Sequence, residues 1–167
     1  GIPQTWEQIR DIAEFFTRPK RNLYGIALWQ APLATAGLVD EFLGLFWSKG
    51  GRLWSGTRDK KVVGYLNDKA GYEAAKLWAE LYRFHPRGAA NYSVDEVLTA
   101  MQQGLVAMAA IYAAFYPALI DPEKSRYADK IGFFTSPAAT SPSGEKLHYV
   151  QLGGQGMSIS AYTPYKE

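Results

Sequence analysis

The chain has 167 residues, a length that suits one ordinary domain and is too short for two well-filled ones. Its 47% of hydrophobic and 20% of charged residues are typical of a folded globular protein and exclude a disordered one. The absence of cysteine excludes disulfides and cysteine nucleophiles, and a net charge of +2 with scattered basic residues predicts no nucleic-acid partner.

The first third of the chain predicts two helices around a short apolar strand. A Thr-x-x-Gln capping box, followed by apolar residues at helical spacing, predicts a helix over about 6–17. The mostly apolar run over 24–29 predicts a strand that is covered on both faces. A long amphipathic helix is predicted over 33–46, with its end at Gly50-Gly51.

The middle of the chain predicts two further helices. Short extended pieces over 52–54 and 62–66 are predicted on either side of a polar turn. Asn67 is predicted as the N-cap of a helix that runs to about residue 84 with an apolar stripe. A Ser-x-x-Glu capping box at Ser93 predicts a short helix through residue 103.

The last third predicts strands and a short helix. A strand is predicted over 105–111, a helix over 113–120 and another strand over 131–134. Residues 138–146 are rich in Pro, Ser, Thr and Gly and predict an exposed loop, before an extended segment over 148–160 with a glycine-rich break. The alternation of strands and helices predicts an α/β layered sheet.

No group of residues in the sequence has the pattern of a catalytic, metal or cofactor site. The two histidines lie far apart, and there is no GxSxG nucleophile motif, P-loop or metal-binding motif. The adjacent carboxylates Asp40-Glu41 and Asp95-Glu96 point in different directions on helices, and we interpret them as solvated or capping residues. The longest uncharged apolar run, over 105–120, is too short to span a membrane. We therefore predict a protein that is not an enzyme, with no metal, no cofactor and no membrane-spanning segment.

Aromatic and amide side chains at predicted strand ends carry the functional prediction. Trp29 and Gln30 end the first strand, Tyr112 follows the strand over 105–111, and Gln155 lies in the glycine-rich break. Ligands of open α/β sheets bind at the carboxyl ends of the strands. Rings and amides there suit a polyhydroxy ligand, which packs its C–H face on a ring and hydrogen-bonds through its hydroxyls. The alternative is that both rings belong to the core.

Six segments in this order resemble family 1 of the extracellular solute-binding proteins of ABC importers, the maltose-binding-protein-like family. They are PQTWE at 3–7, YGIA at 24–27, GG at 50–51, GLVAM at 104–108, KIGF at 130–133 and GGQGMSIS at 153–160. The resemblance covers nearly the whole chain. It implies a three-layer α/β/α lobe of the periplasmic-binding-protein-like (type II) fold. Residues 1–167 would form most of the second lobe of a two-lobe protein, without the first lobe and the C-terminal helices.

The resemblance also implies a function. The chain would belong to the substrate-binding component of an ABC importer, which binds a carbohydrate or sugar alcohol between two lobes and delivers it to the membrane subunits of a permease. The location would be periplasmic or extracellular, with a lipid anchor on the full-length protein as one possibility. Matched position by position, the ligand-binding residues are Trp29, Gln30, Tyr112, Phe115, Gly154 and Gln155. Many sugar-binding relatives carry Trp where this chain has Gln155.

Three alternatives stay open at this stage. The same fold can bind a peptide, a polyamine or an anion, and an anion site predicts bare helix N-termini and arginines at the cleft. A glycoside-active enzyme requires two converging carboxylates. An interaction module would use its exposed rings on a protein partner.

Overall fold

The computed structural model describes residues 1–32, 37–56, 61–62, 64–150 and 158–165. The α-helices of this part of the chain are α1 (Trp6–Phe16), α2 (Gly37–Ser48), α3 (Lys69–Tyr82), α4 (Val94–Gln102) and α5 (Tyr116–Ile120). Its strands are β1 (Tyr24–Ala27), β2 (Val106–Ala109), β3 (Ala139–Thr140) and β4 (Lys146–Leu147). Short 3-10 turns lie at Pro19–Arg21, Ala89–Asn91, Ala113–Phe115 and Ala128–Lys130.

A parallel strand pair lies between two layers of helices. β1 and β2 run side by side with Ala27 opposite Ala109, and every residue of β1 is buried. Ile26 and Leu28 pack into a core with α1, α2 and α3, whereas Ala27 packs on the other face against α4. A strand covered on both faces is apolar throughout, as the sequence predicted. The fold is α/β, with helices on both sides of the strand pair.

Helix α1 approaches β1 closely at Gly25. A Cβ atom at this position would lie 2.0 Å from the carbonyl oxygen of Ala13, so only glycine fits. The N–H of Gly25 also donates to Oγ1 of Thr17 and to the carbonyl of Phe84, each at 3.0 Å. These contacts fix the end of α1 and the segment after α3 against the same strand.

An ion pair with a buried lysine joins the end of α2 to α1. Lys49 is 7% exposed, and its Nζ donates to Oε1 of Glu7 at 2.5 Å and to the carbonyl of Thr140 at 3.1 Å. The N–H of Trp6 donates to the carbonyl of Ala138 at 2.9 Å. The hairpin of β3 and β4 is therefore attached to the start of α1 and the end of α2.

The predicted helices are present, and local side-chain contacts define their ends. Thr5 accepts a hydrogen bond from the N–H of Gln8 at 3.2 Å, as the first capping box predicts. Glu96 accepts from the N–H of Ser93 at 2.8 Å, as the second predicts. The prediction of Asn67 as an N-cap is wrong by one residue, because Asp68 caps α3.

Several predicted extended pieces are wrong. Residues 53–54 form a bend, and residues 64–67 form a turn. Residues 131–134 have no strand partner among the described residues, and Phe133 instead packs on Tyr116 with ring centroids 4.6 Å apart. An apolar run becomes a strand only when a neighbouring strand pairs its backbone, and a local pattern does not supply that neighbour.

The loop predicted over 138–146 is also wrong. β3 pairs with β4 in antiparallel register, with Ala139 opposite Leu147. Ala139 is fully buried in the main core, so this segment is a hairpin packed on the body of the molecule. The predicted break within 153–156 lies outside the described residues, as do 33–36 and most of the polar turn before residue 61.

Candidate functional site

A cavity of about 150 Å³ lies beyond the carboxyl ends of β1 and β2. Parallel strands end at the same edge of a sheet, so the residues that follow them meet there. Trp29, after β1, and Tyr112, after β2, both line the cavity. The remaining described lining residues come from α1, α2, α4 and nearby segments: Trp6, Glu41, Gly44, Val94, Val97, Ala110, Ile111, Ser136 and Val150.

The rings of Trp29 and Tyr112 form one wall of this cavity. Their centroids are 6.2 Å apart and their planes are inclined at 89°, an edge-to-face arrangement. Such ring pairs stabilise a structure by about 0.5–1.5 kcal/mol beyond the area they bury. Tyr112 is 38% exposed, so its ring is accessible and not sealed in the core.

Glu41 of α2 holds the backbone at Trp29. Its Oε2 accepts a hydrogen bond from the N–H of Trp29 at 2.9 Å, and its side chain lines the cavity. The sequence predicts Glu41 to be a solvated or capping residue, and its place at the site is missed. One signal was present: Glu41 lies one helical turn before the buried Leu45 and so shares the inward face of α2.

The other candidate residues differ in position. Gln30 is buried, its backbone N–H donates to the carbonyl of Tyr92 at 3.0 Å, and its Nε2 has no partner among the described residues. It does not line the cavity. Phe115 is half-buried in a 3-10 turn and does not line it either. Gly154 and Gln155 lie outside the described residues, so their role in ligand binding stays a prediction. Of the six predicted ligand-binding residues, the structure brings together Trp29 and Tyr112 at the cavity.

Buried donors lie close to the cavity. The indole Nε1 atoms of Trp6 and Trp29 are buried, and neither has a partner within the described ranges. Both residues belong to the cavity wall. Because each nitrogen is buried, neither presents a donor surface to a ligand in the cavity.

Helix α4 begins at the cavity wall. Val94 and Val97 line the cavity, and the N–H of Ser93, the N-cap, donates to Oε2 of Glu96. The hydrogen bonds from the hydroxyl and the N–H of Ser93 hold the pKa of Glu96 below its usual range. The carboxylate of Glu96 therefore lies at the N-terminus of α4 and pairs with the N–H group of its N-cap residue.

A second cavity, of about 190 Å³, lies behind the first. It shares Trp6, Ala110, Ile111 and Ser136 with the first and is lined mainly by apolar side chains of β2, α5 and residues 131–137. Across the described ranges no helix is long and apolar enough to cross a bilayer. No cluster of three or more His, Asp or Glu side chains suited to a metal ion is found in the same part of the chain.

Comparison with known proteins gives a family match over the whole chain. The model of the bacterial extracellular solute-binding protein family matches residues 1–167. A comparison with curated proteins gives no match.

Solved structures share the fold. An ABC transporter solute-binding protein from Agrobacterium vitis S4 with bound D-mannitol has a TM-score of 0.75 and 20% identity over 83% of this chain and 33% of its own. A solute-binding protein from Agrobacterium radiobacter K84 in complex with ribitol has a TM-score of 0.72 and 22% identity over 83% of this chain and 34% of its own. Maltose-bound MalE3 of T. maritima has a TM-score of 0.73 and 21% identity over 87% of this chain and 36% of its own. The chain thus spans about a third of the length of these structures.

Proposed function

Because the chain belongs to the family of bacterial extracellular solute-binding proteins, we propose that it acts in the substrate-binding component of an ABC importer. It binds a carbohydrate or a sugar alcohol without transforming it. Residues 1–167 form most of the second lobe of a two-lobe protein, and the first lobe and the C-terminal helices belong to the rest of the polypeptide. This division agrees with the third of their length that the solved structures share with the chain.

The ring wall at the strand ends is the observation that carries this proposal. Trp29 and Tyr112 stand at 89° beside the carboxylate of Glu41, so apolar ring faces and a polar group lie along one surface. A sugar or polyol offers C–H faces and hydroxyls to such a surface. The cavity of about 150 Å³ is also smaller than the roughly 300–1,000 Å³ of whole ligand pockets, as half of a shared cleft would be.

The ligands bound in the structural neighbours support the proposed ligand class. They are described with bound D-mannitol, ribitol and maltose, two sugar alcohols and a disaccharide. At 20–22% identity these neighbours establish the fold, so the ligand class depends on the side chains at the strand ends. Trp29 and Tyr112 supply the rings that such ligands require.

Transport follows from closure of the two lobes. Ligand binding stabilises the closed state, because both lobes contact the ligand only when closed, and the membrane subunits of the permease bind that state. The protein needs no cofactor and works in the periplasm or outside the cell, where a family of extracellular proteins operates. Gln30, Phe115, Gly154 and Gln155 remain candidates for further ligand contacts in the closed protein.

A thermal-shift screen of the full-length polypeptide that contains this chain tests the proposal. The probes are mannitol, ribitol and maltose, with citrate, spermidine and a dipeptide as other ligand classes. A ligand at 100 times its Kd stabilises the folded state by about 2.7 kcal/mol, which raises Tm by several degrees. We expect this shift from a sugar or polyol. A shift only from citrate, spermidine or the dipeptide would contradict the proposal.

The isolated chain gives a second test. Half of a cleft offers half of the contacts, so calorimetry with the 167 residues alone should show affinity weaker than micromolar for the probe that the full-length protein binds. Sub-micromolar binding by the isolated chain would show that the proposed division into lobes is wrong.

A further inference from the structure

We propose that the end of α1 and the turn after it bind the surface of a bilayer that contains anionic phospholipids. These residues, 15–22, form a basic tip at the end of the strand pair where β1 begins. The solute cavity lies at the opposite end, beyond the carboxyl ends of β1 and β2. The inference goes beyond solute binding, and a membrane contact at the basic tip leaves the cavity accessible.

Two phenylalanine rings of the basic tip are exposed. Phe15 is 65% exposed and Phe16 is 42% exposed, and their ring centroids lie 5.1 Å apart. Neither ring belongs to a core cluster of the described residues. The guanidinium carbon of Arg18 lies 5.6 Å from the centroid of the Phe15 ring. Exposed rings beside cations are typical of segments that insert apolar groups at the boundary between lipid headgroups and acyl chains.

Three cations of the basic tip surround these rings. Arg18, Lys20 and Arg21 are exposed, and none of them forms an ion pair with a described residue. Residues 15–23 contain no carboxylate, and Glu14 is the nearest one before them in the sequence. Each basic side chain at an anionic lipid surface strengthens binding about 5-fold. The three together therefore favour an anionic bilayer over a neutral one.

Backbone hydrogen bonds hold the turn that carries the cations. The N–H of Arg18 donates to the carbonyl of Leu23 at 2.7 Å, and the N–H of Leu23 donates back at 3.3 Å. Asn22 closes the turn with a φ of 52°, and its N–H donates to the carbonyl of Pro19 at 3.1 Å. Residues 18–22 are all exposed and line neither of the two cavities. A fixed, projecting turn suits a flat surface and loses little conformational freedom on binding.

The end of α3 adds a cation and a ring beside the basic tip. The N–H of Gly25 donates to Oγ1 of Thr17 and to the carbonyl of Phe84, so the two segments meet at the start of β1. Arg83 is exposed, and Tyr82 is 43% exposed. The fold thus joins basic residues that are far apart in the sequence into one positive surface, which anionic headgroups complement.

The two rings distinguish a bilayer from an acidic protein segment as the partner. An acidic segment would pair with the cations and leave the phenylalanine rings in water. A bilayer supplies phosphate groups for the cations and an apolar layer beneath them for the rings. The adjacent exposed positions of Phe15 and Phe16 therefore favour the bilayer.

Vesicle co-sedimentation of the full-length polypeptide that contains this chain, without any lipid anchor, tests the inference. Phosphatidylcholine vesicles are compared with vesicles of phosphatidylcholine and phosphatidylglycerol in equal amounts. We expect partitioning at least about 10-fold stronger to the anionic vesicles, and release from them at high salt. Absence of binding to the anionic vesicles would overturn the inference, also where other parts of the polypeptide cover the basic tip. No solute is added, so the outcome is independent of the proposed function.

Charge variants locate the contact. We expect Lys20→Gln to weaken partitioning to the anionic vesicles by about 5-fold. Lys69→Gln is the matched control, because it removes the same charge from an exposed side chain at the other end of α3. The control should change partitioning by less than about 2-fold. Equal losses in the two variants would show that net charge alone attracts the protein and would overturn the assignment to the basic tip.

A ring variant separates the bilayer from an acidic protein partner. Phe15→Ala should weaken partitioning to the anionic vesicles by at least about 3-fold, because binding increases with the apolar area that enters the bilayer. Tyr72→Ala, at an exposed position in the first turn of α3, should leave partitioning unchanged. Full binding by Phe15→Ala would show that the rings stay in water, which would reject the bilayer contact in favour of an acidic protein segment.

Discussion

Tyr112 stands edge-on to Trp29, with ring centroids 6.2 Å apart and ring planes at 89°. The two residues follow different strands, so their contact depends on the parallel register that sets Ala27 opposite Ala109. The fold thus builds the ring wall from two distant parts of the chain. Each ring fixes the accessible face of the other.

Truncation of Tyr112 tests the role of this wall. In the full-length protein we expect Tyr112→Ala to weaken binding of the sugar or polyol by about 10-fold or more, which is about 1.4 kcal/mol, because the stacking surface is lost. The free energy of unfolding should fall by about 1–2 kcal/mol, since the variant loses the ring contact with Trp29 but the ring is already 38% exposed. Calorimetry and urea unfolding measure the two quantities.

Tyr72→Ala is the matched control for this prediction. Tyr72 lies on α3, is 70% exposed and does not line the cavity. The same truncation there should leave ligand affinity unchanged. Equal losses of affinity in the two variants would show that the Tyr112 ring has no direct role in binding.

The sequence predicted the helices well because their signals are local. Thr5 and Ser93 cap helices through side chains only a few residues away, and the apolar stripe of α3 repeats within one element. The hairpin of β3 and β4 and the irregular backbone of 131–134 were mispredicted because pairing depends on distant segments. Ala139 is buried only because α1 and α2 lie over it, and local composition does not encode that contact.

The candidate site was predictable only where a local pattern or a general rule of folding places the residue. A rule about strand ends in parallel sheets was sufficient to select Trp29 and Tyr112. Glu41 was missed because it reaches the cavity from α2. The sequence does not show which turn of a helix packs next to the end of a strand. Gln30 was selected as an amide at a strand end and Phe115 by the family resemblance, and neither lines the cavity.

Close packing at Gly25 leads to a stability prediction. In Gly25→Ala the new methyl group would lie 2.0 Å from the carbonyl oxygen of Ala13, and backbone on both sides must shift to relieve it. We expect a loss of at least about 1–3 kcal/mol in the free energy of unfolding, the usual cost of overpacking. Urea unfolding of the chain measures it.

Gly132→Ala is the comparison for Gly25→Ala. No atom of the described part of the chain lies within 4 Å of a Cβ built at Gly132, and its φ is not positive. This substitution should change the free energy of unfolding by less than about 0.5 kcal/mol. If both variants were equally stable, the close approach of α1 to β1 would be refuted.

In the ion pair of Lys49 and Glu7, we expect replacement of Glu7 to lower the free energy of unfolding more than replacement of Lys49. Lys49 is deeply buried, whereas the Glu7 side chain is 33% exposed. Glu7→Gln leaves a buried ammonium group without a counter-charge, and we expect a loss of about 3–5 kcal/mol. Lys49→Met removes the buried charge and leaves a carboxylate that water can reach, and we expect a loss of only about 1–2 kcal/mol.

Urea unfolding at pH 7 ranks these two variants, and the double variant Glu7→Gln/Lys49→Met completes the comparison. The double variant should be more stable than Glu7→Gln alone, because it no longer buries an uncompensated charge. A larger loss in Lys49→Met than in Glu7→Gln would show that the pair stabilises the fold in another way, for example through the bond of Lys49 to the carbonyl of Thr140.

Burial of His85 predicts a dependence of stability on pH. The residue is 5% exposed, its ring centroid lies 5.5 Å from that of Tyr82, and neither ring nitrogen has a partner in the described part of the chain. Burial lowers the pKa of His85 to about 4. The unfolded chain, with a histidine pKa of about 6.5, binds the proton more readily, so protonation favours unfolding.

The stability that neutral His85 contributes is complete above about pH 6.5 and is lost as the pH falls towards 4. The total loss over this window is about 3 kcal/mol, at about 1.4 kcal/mol per pH unit. Carboxylates also titrate there, so urea unfolding of the wild type should be compared with His85→Gln at pH 7, 6, 5 and 4. We expect the difference in unfolding free energy between the two proteins to shrink by about 3 kcal/mol from pH 7 to pH 4. His148→Gln, at an exposed position, leaves His85 in place and should retain the wild-type profile, whereas parallel profiles for wild type and His85→Gln would show that the buried ring does not titrate in this way.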